Sequence, residues 1–217
     1  MLFRSTDLAL KIRFVEYGQP LVDPFFLKVG NLKSFTVGHG LLMRNYANDS
    51  DFPSIRRIGV NLGVDAGGWG FEALTHDLTS NEIVGGRLFV RPVPDFKLAL
   101  GLSGIVDLYP GRAVNAAVQP DRFGDPLFIG GALDLDLPIV TSALFGLRLY
   151  ADGAAMIPFV RNDFSYRGTN GGATGFRLDM VWDGQSVRNW GAAGGLMGNV
   201  FFIDWRLEYR YFTGAFR

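Results

Sequence analysis

Along most of this chain apolar and polar residues alternate with a period of two. In RRIGVNLGVDAG (56–67), Ile58, Val60, Leu62 and Val64 fall on one side and Arg57, Asn61 and Asp65 on the other. In FKLALGLSGIVDL (96–108), Phe96, Leu98, Leu100, Leu102, Val106 and Leu108 oppose Lys97, Ser103 and Asp107. PLFIGGALDLDLP (126–138) sets five aliphatic residues against Asp134 and Asp136, and FFIDWRLEYRYF (201–212) sets Ile203, Trp205, Leu207, Tyr209 and Tyr211 against Asp204, Arg206, Glu208 and Arg210. A strand sends successive side chains to opposite faces, so this period predicts strands with one greasy and one charged face.

The pattern predicts strands at 8–16, 24–30, 34–44, 55–65, 69–77, 82–92, 96–108, 126–137, 144–156, 175–183, 187–197 and 201–212. Most exceed the five or six residues usual in soluble domains and approach the roughly 9 to 11 that cross a membrane. Helical periodicity is not persuasive anywhere. Clusters of Pro, Gly and Asn place the long connections at 45–54, 109–125 and 158–174 and the tight turns between them. In an up-and-down meander this puts loops at one end and turns at the other.

Composition narrows the choice of solvent for the greasy face. The chain has 217 residues, 48% of them hydrophobic, and a formal charge of zero, which points to no nucleic-acid partner. Lysine supplies only four of 21 basic residues (Lys11, Lys28, Lys33, Lys97) and glutamate only four of 21 acidic ones. Soluble surfaces lean on Lys and Glu, whereas Arg and Asp suit compact pairing. Trp69, Phe96, Tyr109, Phe145, Phe176, Trp182, Phe201 and Tyr211 stand near strand ends, where a membrane boundary favours aromatic rings. There is no cysteine, hence no disulfide scaffold or thiolate metal site.

These features, with VGNLKSFTVGHGLLMRNY (29–46) as the most word-like segment, give a chain that resembles a Gram-negative-type outer-membrane β-barrel, porin-like in the broad sense. The resemblance implies an all-β, antiparallel, up-and-down transmembrane barrel of about twelve strands, one domain over 1–217, in the outer membrane. Such a protein has outer-membrane lipid and small polar solutes as its partners, and needs no cofactor. The start, MLFRSTDLALKIRF, lacks a secretory signal, and the end, FTGAFR, lacks the terminal aromatic of such barrels. Both fit a processed chain or part of a larger barrel.

The charged faces then line a lumen. The expected pore-lining set is Arg57, Asp65, Glu72, Arg87, Arg91, Lys97, Asp107, Asp134, Asp136, Arg148, Asp152, Arg177, Asp179, Asp204, Arg206, Glu208 and Arg210. Arg57, Arg87, Arg91 and Lys97 are expected to form a basic wall, and Asp134 and Asp136 to begin an acidic one, setting a transverse field for polar solutes. Twelve strands lie between a filled eight-stranded barrel and an open sixteen-stranded one, so a constriction is expected, from loop 109–125 or the Gly-rich loop 167–175.

Two rival functions share this scaffold. A non-conducting structural or adhesive barrel would use its loops as a binding surface. An outer-membrane hydrolase would need a base, and only His39 and His76 exist. His76 neighbours Thr75, Asp77 and Ser80, but adjacent His76 and Asp77 point apart on a strand, which argues against a catalytic couple. His39, flanked by Gly38 and Gly40, reads as a packing or interfacial residue. No His, Asp or Glu spacing suggests a metal site.

Overall fold

A computed structural model describes residues 12–20, 23–49, 57–93, 96–110, 125–142, 144–163, 174–176, 181–182, 185–186 and 189–213. Its strands are β1 (Phe14–Tyr17), β2 (Phe25–Gly30), β3 (Gly59–Asp65), β4 (Trp69–Thr75), β5 (Ile83–Val93), β6 (Leu98–Asp107), β7 (Pro126–Thr141), β8 (Phe145–Val160), β9 (Gly175–Phe176), β10 (Val181–Trp182), β11 (Gln185–Ser186), β12 (Asn189–Val200) and β13 (Ile203–Phe212). One antiparallel sheet holds eleven of them, in the order β1 to β8, then β12 and β13, with β9 also paired to β8. Strands β10 and β11 form a separate two-stranded sheet. Among the described residues β1 and β13 are the two edges, and no ladder joins them. No helix there is long and apolar enough to cross a membrane.

The two faces of this sheet differ in what they bury, charged side chains on one and little of the aliphatic ladder on the other. Asp134 is 6% exposed while its strand neighbour Leu133 is 66% exposed. Arg87, Ser103, Asp136 and Asp152 are also buried, whereas Leu88, Leu100, Leu102 and Leu207 lie open. Register explains the coherence: Leu88 pairs with Leu102 and Leu102 with Leu133 across β5, β6 and β7, so apolar side chains form continuous ladders on one face. A one-residue slip of β7 would place Asp134 in that ladder, and one of β5 Arg87, which fixes the pairing.

The charged face is concave and encloses a piece of its own chain. Residues 31–49, leaving β2, reach Asp136 on β7, Asp152 on β8 and Arg206 on β13. Here the expected strand at 34–44 is not found. Ser34, Gly38, Gly40 and Asn45 all have positive φ, and the backbone closes on itself through Val37 N–H to Met43 O, Gly40 N–H to Val37 O and the Phe35–Tyr46 bridge. Its apolar residues make two small interior cores: Leu32, Phe35 and Val37 against Leu74, and Leu41 against Ala154 and Ala193. The alternation of Phe35, Val37 and Leu41 serves those cores, not a ladder.

Other boundaries move less. Of the expected strand 175–183, β9 and β10 are described while 177–180 and 183 lie outside the described residues, and β7 and β8 run to Thr141 and Val160. Short turns 66–68, 142–144 and 201–202 lie at one end of the sheet, and the connections 31–58, 108–125 and 161–188 at the other. The expected constrictions at 109–125 and 167–175 fall largely outside the described residues. Within them, 31–49 occupies the interior.

Candidate functional site

The concave face is braced by ion pairs that skip a strand. Asp134 on β7 is the register partner of Gly101 on β6, and Arg87 on β5, the partner of Ser103 two residues along β6, reaches it diagonally over that glycine. The Asp134 carboxylate accepts from Arg87 Nε at 2.9 Å and Nη2 at 2.5 Å, while Arg87 Nη1 reaches Glu72 on β4 at 3.3 Å. A β-carbon on Gly101 would collide with the Asp134 carboxylate, so the bidentate pair depends on that glycine. Asp65 on β3 likewise accepts two bonds from Arg91 on β5, past the Gly67–Gly68 turn. Acidic and basic side chains therefore touch along this face, the compact pairing that the Arg- and Asp-rich composition led one to expect.

A second relay crosses β12. Tyr150 on β8 and Glu208 on β13 both register with Gly195, and the Tyr150 hydroxyl donates to Glu208 at 2.5 Å. Arg206 donates through Nε to the Tyr150 oxygen at 2.7 Å and also binds Glu208, as does Arg210. Arg44, from the enclosed segment, approaches Glu208 at 3.5 Å.

His39 joins these networks. Its Nδ1 lies 2.7 Å from Asp152 and its Nε2 3.3 Å from Asp136, and its carbonyl accepts from Arg206 Nη2 at 2.7 Å. Positive φ at Gly38 and Gly40 turns the imidazole inward, and Gly38 packs over the Arg87–Asp134 pair. Burial alone would lower the imidazole pKa, but the hydrogen bonds and charges of Asp136 and Asp152 outweigh it and raise the pKa to about 9. His39 is thus an imidazolium at neutral pH, shared by two carboxylates. The reading of His39 as a packing or interfacial residue missed this role. The signal was a Gly-His-Gly triplet inside a chain whose other strands alternate.

Of the expected lining residues, Asp65, Glu72, Arg87, Arg91, Asp107, Asp134, Asp136, Arg148, Asp152, Asp204, Arg206, Glu208 and Arg210 share the concave face by register. Arg57 precedes β3 and donates to the Asn48 carbonyl, and Lys97 sits in the β5–β6 turn with positive φ. Arg177 and Asp179 lie outside the described residues. Lys28, which pairs with Glu16 at 2.6 Å, and Arg44 belong to the same interior but were not anticipated, and Tyr150 shares that face with Arg148 and Asp152 as the alternation along β8 predicts.

The His76–Asp77 couple dissolves into structural bonds. Asp77 accepts from Ile58 N–H and from the Thr79 N–H and hydroxyl, and His76 Nδ1 faces the Tyr46 hydroxyl. The carboxylate near His76 Nε2 is Glu82, at 3.8 Å. No group of three or more metal-ligating side chains occurs among the described residues.

Space in the interior is uneven. Around Val37, Gly38, His39 and Leu41 the remaining void is about 10 Å³, at the limit for one water. Toward the short turns the interior opens into a cavity of about 490 Å³ lined by Arg91, Lys97, Asp136 and Arg148. A neighbouring one of about 480 Å³ is bounded by Arg148, Asp204 and Arg206. The chain matches no protein-family model, no curated protein and no solved structure.

Proposed function

We propose that this chain is an outer-membrane β-barrel that passes small polar solutes through a charged interior, with residues 31–49 as its constriction. The observation that carries the reading is the inverted sheet, with carboxylates and guanidinium groups inside and leucines outside. Lipid suits this outer face, whereas in water the outer ladder would be an aggregating surface. Exposed aromatics add support by clustering at the two ends of the strands. Trp69, Phe96, Phe145 and Phe202 lie by the short turns, and Tyr109, Trp190 and Tyr211 lie by the long connections. The longer strands, such as β5 with 11 residues and β12 with 12, have the span a membrane requires.

The vestibule at the short-turn end would then face the periplasm, and His39 would hold the constriction above it. Planar-bilayer recording of the refolded protein tests this, with discrete conductance steps expected from wild type and larger ones once the 31–49 segment is released. A second reading, a non-conducting structural barrel, is favoured by the filled interior at His39. Silence of both wild type and a His39→Ala variant in the same recording would select it.

A further inference from the structure

We infer that the 490 Å³ cavity at the short-turn end is a binding site for small anions carrying carboxylate or phosphate groups. It rests on the channel reading for its role, but its binding chemistry stands apart from conduction. Three cationic side chains from three parts of the fold line it: Arg91 of β5, Lys97 of the β5–β6 turn and Arg148 of β8, against a single carboxylate, Asp136. Their commitments differ. Arg91 spends both terminal nitrogens on Asp65 and supplies charge more than hydrogen bonds. Arg148 gives Nη1 to Asp136 at 2.8 Å and keeps a half-exposed guanidinium facing the cavity. Lys97 makes no ion pair with any described residue.

A lysine without an ion pair among the described residues and a half-used guanidinium on one concave surface are the donors that an oxyanion recognises. Ala99 and Pro138 close the wall with apolar surface, and the Gly67–Gly68 turn leaves the mouth without side chains. The cavity is large enough for a phosphate or a short dicarboxylate.

Titration calorimetry of the full chain in detergent, with inorganic phosphate and separately with succinate, tests the site. Saturable binding is expected, weakened roughly tenfold or more in Lys97→Gln and in Arg148→Gln, since each removes a charge-assisted donor. Lys33→Gln, at an exposed lysine outside the cavity, should bind as wild type. The Lys97 side chain makes no ion pair with a described residue, so its variant keeps the native far-ultraviolet dichroism and isolates the loss of binding. Absence of saturable binding by wild type, or Lys97→Gln binding phosphate and succinate as tightly as wild type, would overturn the site. A protein that binds phosphate yet stays silent in bilayers keeps the site and loses the channel. One that conducts and binds neither anion keeps the channel and loses the site.

Discussion

The imidazole Nδ1 of His39 lies 2.7 Å from the carboxylate of Asp152, more than a hundred positions further along the chain. With Asp136 on the other ring nitrogen, this contact fastens residues 31–49 to β7 and β8. The segment has local bonds of its own and packs in two apolar cores, and this shared cation with Arg206 adds its polar anchor in the interior.

Replacing His39 with alanine leaves Asp136 and Asp152 buried with their common cation gone, a loss on the order of 3 kcal/mol for a broken buried pair. Amide exchange at Val37 and Tyr46, both protected by bonds within the segment, should accelerate about a hundredfold. Unchanged exchange would show that the apolar contacts of Leu41 and Leu32 hold the segment alone.

The same contact makes docking sensitive to alkali. The folded pKa of His39 is raised from its ordinary 6.5 to about 9, so its stabilisation is complete below about 6.5 and is lost as pH rises through about 9. At full effect the shift is worth about 3 kcal/mol. An NMR titration of the His39 ring should show a midpoint near 9, with cleavage of 31–49 by an alkali-tolerant protease rising over the same range. A midpoint near 6.5 would mean that the two carboxylates do not hold the ring.

Gly101→Ala should cost about 3 kcal/mol, because its methyl group displaces Asp134 from Arg87. Gly131→Ala, on the opposite face with nothing within 4 Å, should shift stability by less than about 1 kcal/mol. Urea unfolding in lipid vesicles compares the two. Equal effects would remove the case for glycine as the gap through which the pair reaches.

Arg87→Met alone should destabilise by about 3 to 5 kcal/mol, because Asp134 and Glu72 stay buried without their partner. Combining it with Asp134→Leu should recover most of that loss. A double variant no better than the single one would assign the cost to packing instead of charge.

Much of the fold was legible because period two is a direct consequence of strand geometry. Leu100, Leu102, Ser103 and Asp107 announce both β6 and its two faces. Who pairs with whom was not legible: Asp134 meets Arg87 diagonally across β6 because register places Gly101, which has no side chain, opposite Asp134, and register is a property of the assembled sheet. The segment 34–44 misled for a different reason. Phe35, Val37 and Leu41 mimic a strand by facing two interior cores, while the positive φ of Ser34 and Asn45 leaves little trace in residue types that also tolerate extended backbone. The two glycines around His39 were the available sign of a turn.

Because the chain has no cysteine, single cysteines can report which face meets lipid. Leu133→Cys and Ser103→Cys sit on opposite faces of adjacent strands, the first exposed and the second buried. With an environment-sensitive label attached in reconstituted vesicles, quenching by brominated lipid should be strong at 133 and weak at 103. Equal quenching at both positions, or an unlabelled protein that stays monodisperse in buffer without detergent, would contradict the membrane assignment.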